Sequence, residues 1–236
     1  LPARWFSPAG TPAALVAAFP KALTVFLRAR IDPHAILNLP GFLRDRILPK
    51  RFGGLLGAVL PPPRALLAGA SGDVALSLLG LDPDTTVAHI MRWARRPGAL
   101  LQFLHSAFAL EIKDPAVARR WLAHARSALK SLGWSASAIE DAPSGWSGVV
   151  FQAKRSRRVW SVLLHDHVLV VLSGRGEVAR FLAVAEDRAL PLARMAREGV
   201  GRGALSDPKA ALGLYVSVDR ITRELADKGL PPYFLK

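Results

Sequence analysis

The sequence predicts an α+β fold in which a largely antiparallel sheet is covered by helices. Apolar stretches with the period of a strand are each followed by an aspartate and a helical stretch, within residues 23–39, 76–96, 108–133 and 212–229. Three further apolar stretches, 148–154, 158–164 and 168–174, are joined by short turns and predict a three-strand meander. Such strand–Asp–helix units combined with a meander favour helices on one face of the sheet.

The helices are expected to begin at Asp-Pro pairs. Asp32-Pro33, Asp82-Pro83 and Asp114-Pro115 each stand between an apolar stretch and a helical one. An aspartate at the N-cap accepts hydrogen bonds from free backbone N–H groups, and a proline at the next position has no N–H to satisfy. Asp207-Pro208 precedes a strand instead and predicts a turn.

The clearest single element is the amphipathic helix 115–133, which has an apolar face, a basic face and Gly133 as the residue after its end. Residues 65–81 predict two short strands around the turn Ala70–Asp73, and residues 134–145 predict a polar loop. The apolar run VLVVL at 168–172 shows no alternation, so we expect this strand to be covered on both faces.

The predicted domain organisation has three parts. Residues 1–22 are rich in Pro, Ala and Gly and form an N-terminal arm, and residues 23–206 form the main α+β domain. Residues 207–236 form a strand–helix unit that either completes the sheet or starts a truncated second module. The first residue is Leu1 and not Met, so we expect a fragment or a processed product.

The composition restricts the functions that the chain can have. The formal net charge is +14, which indicates either a polyanionic partner or a surface on which Arg is the default cation. The absence of cysteine excludes disulfides, thiolate zinc sites, iron–sulfur clusters and cysteine nucleophiles.

The motifs that suggest catalysis or cofactors are incomplete. His165-Asp166-His167 supplies too few metal ligands and is interpreted as a polar tight turn. Gly174-Arg175-Gly176 stands between a strand and a helix, but it follows a hairpin and lacks the acidic ribose ligand of a dinucleotide site. The serine of residues 144–148 precedes a strand, whereas a nucleophile elbow follows one. We therefore predict no catalytic residue, cofactor or metal.

Two basic stretches are the strongest indications of a partner. The hairpin tip at 154–158 carries four cations that suit phosphate or lipid headgroups: Lys154, Arg155, Arg157 and Arg158. The stretch 92–96 also carries three arginines, but it ends a helix, where the helix dipole already stabilises cations.

Four stretches of the chain, 70–81, 109–129, 159–182 and 212–221, together resemble the bacterial family called domain of unknown function 3352. The resemblance implies an exported or membrane-anchored protein without enzymatic activity, and it supplies no catalytic residues. The triple proline at 61–63 and the high arginine content depart from the family pattern.

Three functions from different classes follow. The first is a non-catalytic extracytoplasmic binding or scaffolding module, in the periplasm or cell envelope, with a protein or envelope component as partner and an apolar groove for a lipid or peptide. The second is a nucleic-acid or anionic-surface binder that uses hairpin 154–158, with anionic lipid favoured over nucleic acid. The third is an enzyme built on the incomplete motifs. A cytoplasmic location stays open, and no transmembrane segment is expected.

Overall fold

The computed structural model describes residues 13–30, 32, 69–95, 104–131, 133–140, 142–152, 154, 159–194 and 212–230, with only the backbone of residues 13–14 and 92–95. The helices are α1 (Ala13–Ala18), α2 (Val87–Arg95), α3 (Pro115–Ser131), α4 (Glu177–Ala185) and α5 (Val218–Asp227). The strands are β1 (Val25–Arg30), β2 (Ala70–Leu81), β3 (Leu104–Ile112), β4 (Ser135–Ala138), β5 (Trp146–Gln152), β6 (Val159–His165), β7 (Val168–Ser173) and β8 (Leu212–Val216).

The strands of the described residues all belong to one eight-stranded sheet with the order β4-β5-β6-β7-β3-β2-β1-β8. Every neighbouring pair is antiparallel, so the predicted α+β class with an antiparallel sheet is confirmed. β8 pairs with β1, from Val25 opposite Val216 to Ala29 opposite Leu212. The strand of the 207–236 unit therefore lies in the same sheet as the rest.

One face of the sheet, the α1 face, is covered by α1 and α4. Phe19 lies between Phe26 of β1 and Phe181 of α4, with edge-to-face ring distances of 5.0 and 5.3 Å. All three rings are fully buried, and Leu15 and Val16 of α1 join the same core. Part of the predicted N-terminal arm is thus a core element, because its apolar side chains bury against the sheet.

The opposite face, the α3 face, is covered by α3. Its buried residues Trp121, Leu122 and Leu129 pack on Val149, Phe151, Val162 and Leu164 of β5 and β6. Helices therefore lie on both faces of the sheet, and the expectation of one covered face was wrong. The strand containing VLVVL is buried on both faces, as predicted, because β7 alternates between the two cores.

The covering of the α3 face is incomplete. One row of directly paired residues crosses the whole sheet: Ala138, Val149, Val162, Val171, Phe108, Leu76, Leu27 and Leu214. Val149 and Val162 are buried beneath α3, whereas Phe108, Leu76 and Leu214 are 43%, 47% and 54% exposed. Among the described residues, the part of this face around Phe108, Leu76 and Leu214, which spans β3, β2, β1 and β8, is therefore left uncovered.

The Asp-Pro predictions have mixed outcomes. Asp114 caps α3 as predicted, since its carboxylate accepts the N–H of Ala116 at 2.9 Å. Asp82 instead caps a separate turn, accepting the N–H of Asp84, and α2 begins only at Val87, with Thr86 bonded to His89. Pro33 and the Asp207-Pro208 pair lie outside the described residues.

Two local predictions are corrected. The predicted turn 70–73 lies inside the strand β2 as a bulge, at which Gly72 has a φ of 105° and the pairing with β3 shifts between Ala70 and Val74. Residues 65–68 of the predicted first strand lie outside the described residues. The predicted loop 134–145 contains β4, whose small residues pair with the edge of β5.

A buried charge cluster joins β1 to β2 on the α1 face. Asp73 accepts from Arg30 Nη2 at 2.6 Å and lies 3.4 Å from Arg28 Nη2. Arg28, Arg30 and Asp73 are all at most 5% exposed. Because charges removed from water are stable only when paired, this carboxylate fixes the end of the β1–β2 ladder.

The variant Asp73→Ala should therefore lower the free energy of unfolding by about 3–5 kcal/mol, the usual loss when one partner of a buried ion pair is removed. Urea denaturation followed by circular dichroism measures this value. Asp114→Ala, which removes an exposed helix cap, is the matched control and should cost only about 1 kcal/mol. Equal losses in the two variants would contradict a central role for the buried cluster.

Candidate functional site

A cleft of about 260 Å³ lies at the ends of β2 and β3, where α4 begins and α5 packs against the sheet. The polar residues lining it include His105 and Glu177, which are buried, and the cations Arg175, Arg180, Arg220 and Lys228. The cleft is therefore a charged site built from segments far apart in the sequence.

His105 of β3 is the most central ionisable group of this cleft. Its Nδ1 lies 2.7 Å from Glu177 Oε1, so the ring and the carboxylate share a hydrogen bond. Its Nε2 lies 3.4 Å from Asp82 Oδ2 but outside hydrogen-bond geometry, and this buried nitrogen has no hydrogen-bond partner. The imidazole is thus placed between two carboxylates, with one nitrogen unsatisfied.

These contacts set the charge of the imidazole. Burial lowers the pKa of His105, but the hydrogen bond and charge of Glu177, with a smaller effect of Asp82, outweigh burial. The net result is a pKa raised above the usual value of 6.5. His105 therefore keeps its proton to a higher pH than a free imidazole does, and when it is protonated both ring nitrogens donate.

Arg180 and Glu177 hold the first turn of α4 against the sheet. Arg180 Nη1 donates to both oxygens of Glu177, at 3.0 and 2.9 Å. The same guanidinium donates to the carbonyl oxygens of Leu79 and Ala22. Glu177 is thus saturated by two cationic partners and has a structural role.

The other wall comes from α5. Glu224 accepts from the backbone N–H of Leu81 at 3.0 Å and from Arg220 Nε at 3.1 Å. Lys228 Nζ donates to the carbonyl oxygens of Asp82 and Pro83. These contacts attach α5 to the end of β2.

Two glycines allow the close packing around this cleft. A Cβ on Gly174 would lie 2.5 Å from the His105 ring, and one on Gly80 would lie 2.8 Å from the Glu224 carboxylate. Both residues also have positive φ angles, 126° and 150°. The Gly174-Arg175-Gly176 motif therefore makes room for the imidazole.

The residues that line the cleft carry no hydroxyl or thiol side chain. Within the described part of the chain, no group of three His, Cys, Asp or Glu side chains is arranged to hold a metal ion. The arrangement can hold a proton on His105, form ion pairs and donate hydrogen bonds to a ligand.

The site residues predicted from the sequence lie elsewhere. Lys154 is exposed at the end of β5, and Arg155, Arg157 and Arg158 lie outside the described residues. The prediction of polyanion binding at this hairpin therefore stays a prediction. Arg92 and Arg95 lie in α2, but their side chains, like residue 96, fall outside the described part.

The His165–His167 segment forms a tight turn between β6 and β7, with Asp166 at a φ of 46°. The ring of His165 stacks on Trp146 at 4.7 Å, and His167 Nδ1 lies 2.8 Å from the carbonyl oxygen of Ile112. Both imidazoles thus contribute to local packing in separate directions.

The sequence reasoning missed the cleft because its residues carry no common motif. His105 and Glu177 are 72 positions apart, and Asp82 was interpreted only as a helix cap. The available local signal was the Gly174-Arg175-Gly176 turn, which marks a close approach of another side chain.

No protein-family model matches the chain, and no curated protein is significantly similar to it. The resemblance to the domain of unknown function 3352 family accordingly stays a prediction. Among the described helices, none has both the length and the apolar character needed to cross a bilayer.

The protonated state of His105 predicts a pH dependence of stability. Because the folded-state pKa is raised, the contribution of His105 is fully present below about pH 6.5 and is lost as the pH rises through the folded-state value. The charged groups in contact with the ring are Glu177 of α4 and Asp82 of the β2–α2 turn, and Arg180 of α4 is paired with Glu177. Urea denaturation between pH 6 and pH 9 should show the advantage of wild type over His105→Gln shrinking as the pH rises.

Glu177→Gln should reduce the same pH dependence, because it keeps the side-chain shape and removes the charge. Arg119→Ala, exposed on α3 on the other side of the sheet, should keep the wild-type slope. A constant difference between wild type and His105→Gln over this range would show that the imidazole is not protonated in the folded state.

Proposed function

We propose that the protein is a non-catalytic extracytoplasmic binding or scaffolding module of a cell-envelope assembly. In this proposal it binds the acidic amphipathic helix of a partner protein on the open part of the α3 face. We call this surface, formed by β3, β2, β1 and β8, the open face. The observation that carries the proposal is the concentration of exposed apolar side chains on it.

Among the described residues, eight large apolar side chains are exposed, and six lie on the open face or directly after β8. They are Leu76, Phe108, Leu212, Leu214, Val216 and Val218. Contiguous exposed apolar patches on protein surfaces mark sites of interaction. The pairing of Leu214, Leu27, Leu76 and Phe108 makes this patch continuous across four strands.

The covered part of the α3 face indicates the shape of the occupant. There, a single amphipathic helix, α3, lies on the strands with its apolar side down. Four strands about 4.8 Å apart place the outermost strand axes roughly 14 Å from each other, and a helix with side chains is about 10 Å wide. The open face therefore has room for a helix in the same layer as α3.

Charge favours an acidic helix. The chain carries a net charge of +14, and α3, in the same layer, exposes Arg119, Arg120, Arg126 and Lys130. A helix that lies on the open face places its polar side near this layer, where negative side chains are attracted. An acidic partner is also attracted at long range by the excess positive charge.

The non-catalytic part of the proposal is supported by the chemistry of the described surfaces. The paired row on the open face has only apolar side chains, and none of the residues lining the polar cleft is a serine, threonine, cysteine or tyrosine. The extracytoplasmic part is supported by the sequence resemblance. Fractionation of the source cells with an antibody against the chain tests it, and recovery only with cytoplasmic proteins would overturn it.

Binding is tested with a designed peptide that has the sequence of α3, Pro115–Ser131, and the changes Arg119→Glu, Arg120→Glu, Arg126→Glu and Lys130→Glu. This peptide keeps the apolar side that packs on the sheet and presents an acidic side. Fluorescence anisotropy with the labelled peptide should show saturable binding to the protein. The unchanged, basic α3 peptide should bind at least about tenfold more weakly, because its charge is repelled.

Leu76→Gln and Leu214→Gln should each weaken binding of the acidic peptide by about tenfold, since each places a polar group in an apolar contact. Leu190→Gln is the matched control, because Leu190 is exposed to the same degree, 45% against 47% for Leu76, but lies off the sheet. Equal effects of all three variants would overturn the proposed surface. Concentration-dependent dimers in sedimentation, abolished by Leu214→Gln, would assign the surface to a second copy of the chain instead.

A further inference from the structure

The polar cleft has more hydrogen-bond donors than its own acceptors use. His105 Nε2 is buried and makes no hydrogen bond, and its charged neighbour is Asp82 Oδ2, 3.4 Å away. Arg175 is exposed at the cleft, and no ion pair with a described residue is seen for it. Arg220 contacts Glu224 through Nε, and Lys228 contacts only backbone carbonyls. A ligand with acceptor oxygens would satisfy these groups.

The start of α4 adds further donors. The helix begins at Glu177, after Gly176 in a left-handed conformation with a φ of 77°, and no side chain caps it. Backbone N–H groups at a helix start are free of helical partners, and the helix dipole favours negative charge there. Arg175 immediately precedes this end, so a backbone and a side-chain donor group lie in the same turn.

The acidic side chains of the cleft do not cancel its capacity to bind an anion. Glu177 is held by His105 and Arg180, and Glu224 by Arg220 and the N–H of Leu81. Asp82 caps a turn and lies beside His105, and Asp227 is exposed to solvent. The two most firmly held acidic side chains are thus already neutralised by protein partners.

We propose that this cleft binds the oxyanion group of a small ligand, either a carboxylate or a phosphate, through Arg175, His105 and the N-terminus of α4. The volume of about 260 Å³ limits the ligand to a small molecule, because sites for larger molecules enclose about 300–1,000 Å³. Neither the open face nor its partner helix takes part in this site, so the two proposals stand or fall separately.

Isothermal titration calorimetry of the full chain tests the proposal with four probes: sulfate, inorganic phosphate, acetate and succinate. Saturable binding of sulfate and phosphate identifies a phosphate-type ligand, and saturable binding of acetate or succinate alone identifies a carboxylate. Sulfate does not titrate between pH 6 and pH 9, so its affinity should fall over this range as His105 loses its proton. Absence of saturable binding by all four probes would overturn the proposal.

Arg175→Ala should weaken binding of the best probe by about tenfold, the effect of one charge-assisted contact, and Arg175→Lys should weaken it less. Arg175 is exposed, so neither change should alter folding. Arg119→Ala removes an equally exposed arginine from the other side of the sheet and should leave the affinity unchanged. If Arg175→Ala and Arg119→Ala lowered the affinity for the probe equally, the binding would depend on general surface charge, and the proposed site would be refuted.

Discussion

The rest of the structure depends on the two-sided burial of the central strands. Leu163 and Leu164 of β6 are adjacent, point to opposite faces and are both buried, and Leu169 and Val170 of β7 repeat this arrangement. Such strands are stable only where both faces are covered. The fold meets this requirement with α1 and α4 on one face and α3 on the other. On the α1 face, Phe26 of β1 and Tyr215 of β8 pack against the core, whereas Leu214 on the opposite side is exposed and belongs to the open face.

Local sequence signals predicted the elements better than their arrangement. The Asp114 cap, the length of α3 and the two-sided burial of VLVVL could be predicted, because each depends on side chains within one element. The position of β3 between β7 and β2 could not, since strand pairing over more than 60 residues leaves no local mark. The buried VLVVL run already contradicted helices on one face only. Its apolar side chains on both sides required a helix layer on each.

The candidate site was harder to predict than the fold, for a physical reason. His105 acquires its properties from Glu177 and Asp82, and each of these acids also has a plausible local role, at the start of a helix or as a turn cap. The local patterns around Asp82 and Glu177 would be the same if no histidine were nearby. In the sequence, only Gly174 indicates the contact between the turn 174–176 and the His105 ring, because a Cβ at this position would overlap the ring. The contact depends on the folded structure, so the spacing of the residues does not predict it.

The cleft and the open face are connected through β2 and α5, although they lie on different sides of the sheet. α5 follows β8 after one residue, and Glu224 attaches α5 to Gly80 and Leu81 at the end of β2. The outermost strand of the open face is therefore held by its ladder to β1 and also by this carboxylate contact. Glu224 is bonded to Leu81 and Arg220, and these bonds help to hold α5 and β8 in place. Because its carboxylate is used in this way, the groups of the cleft that are free to contact a ligand are its hydrogen-bond donors.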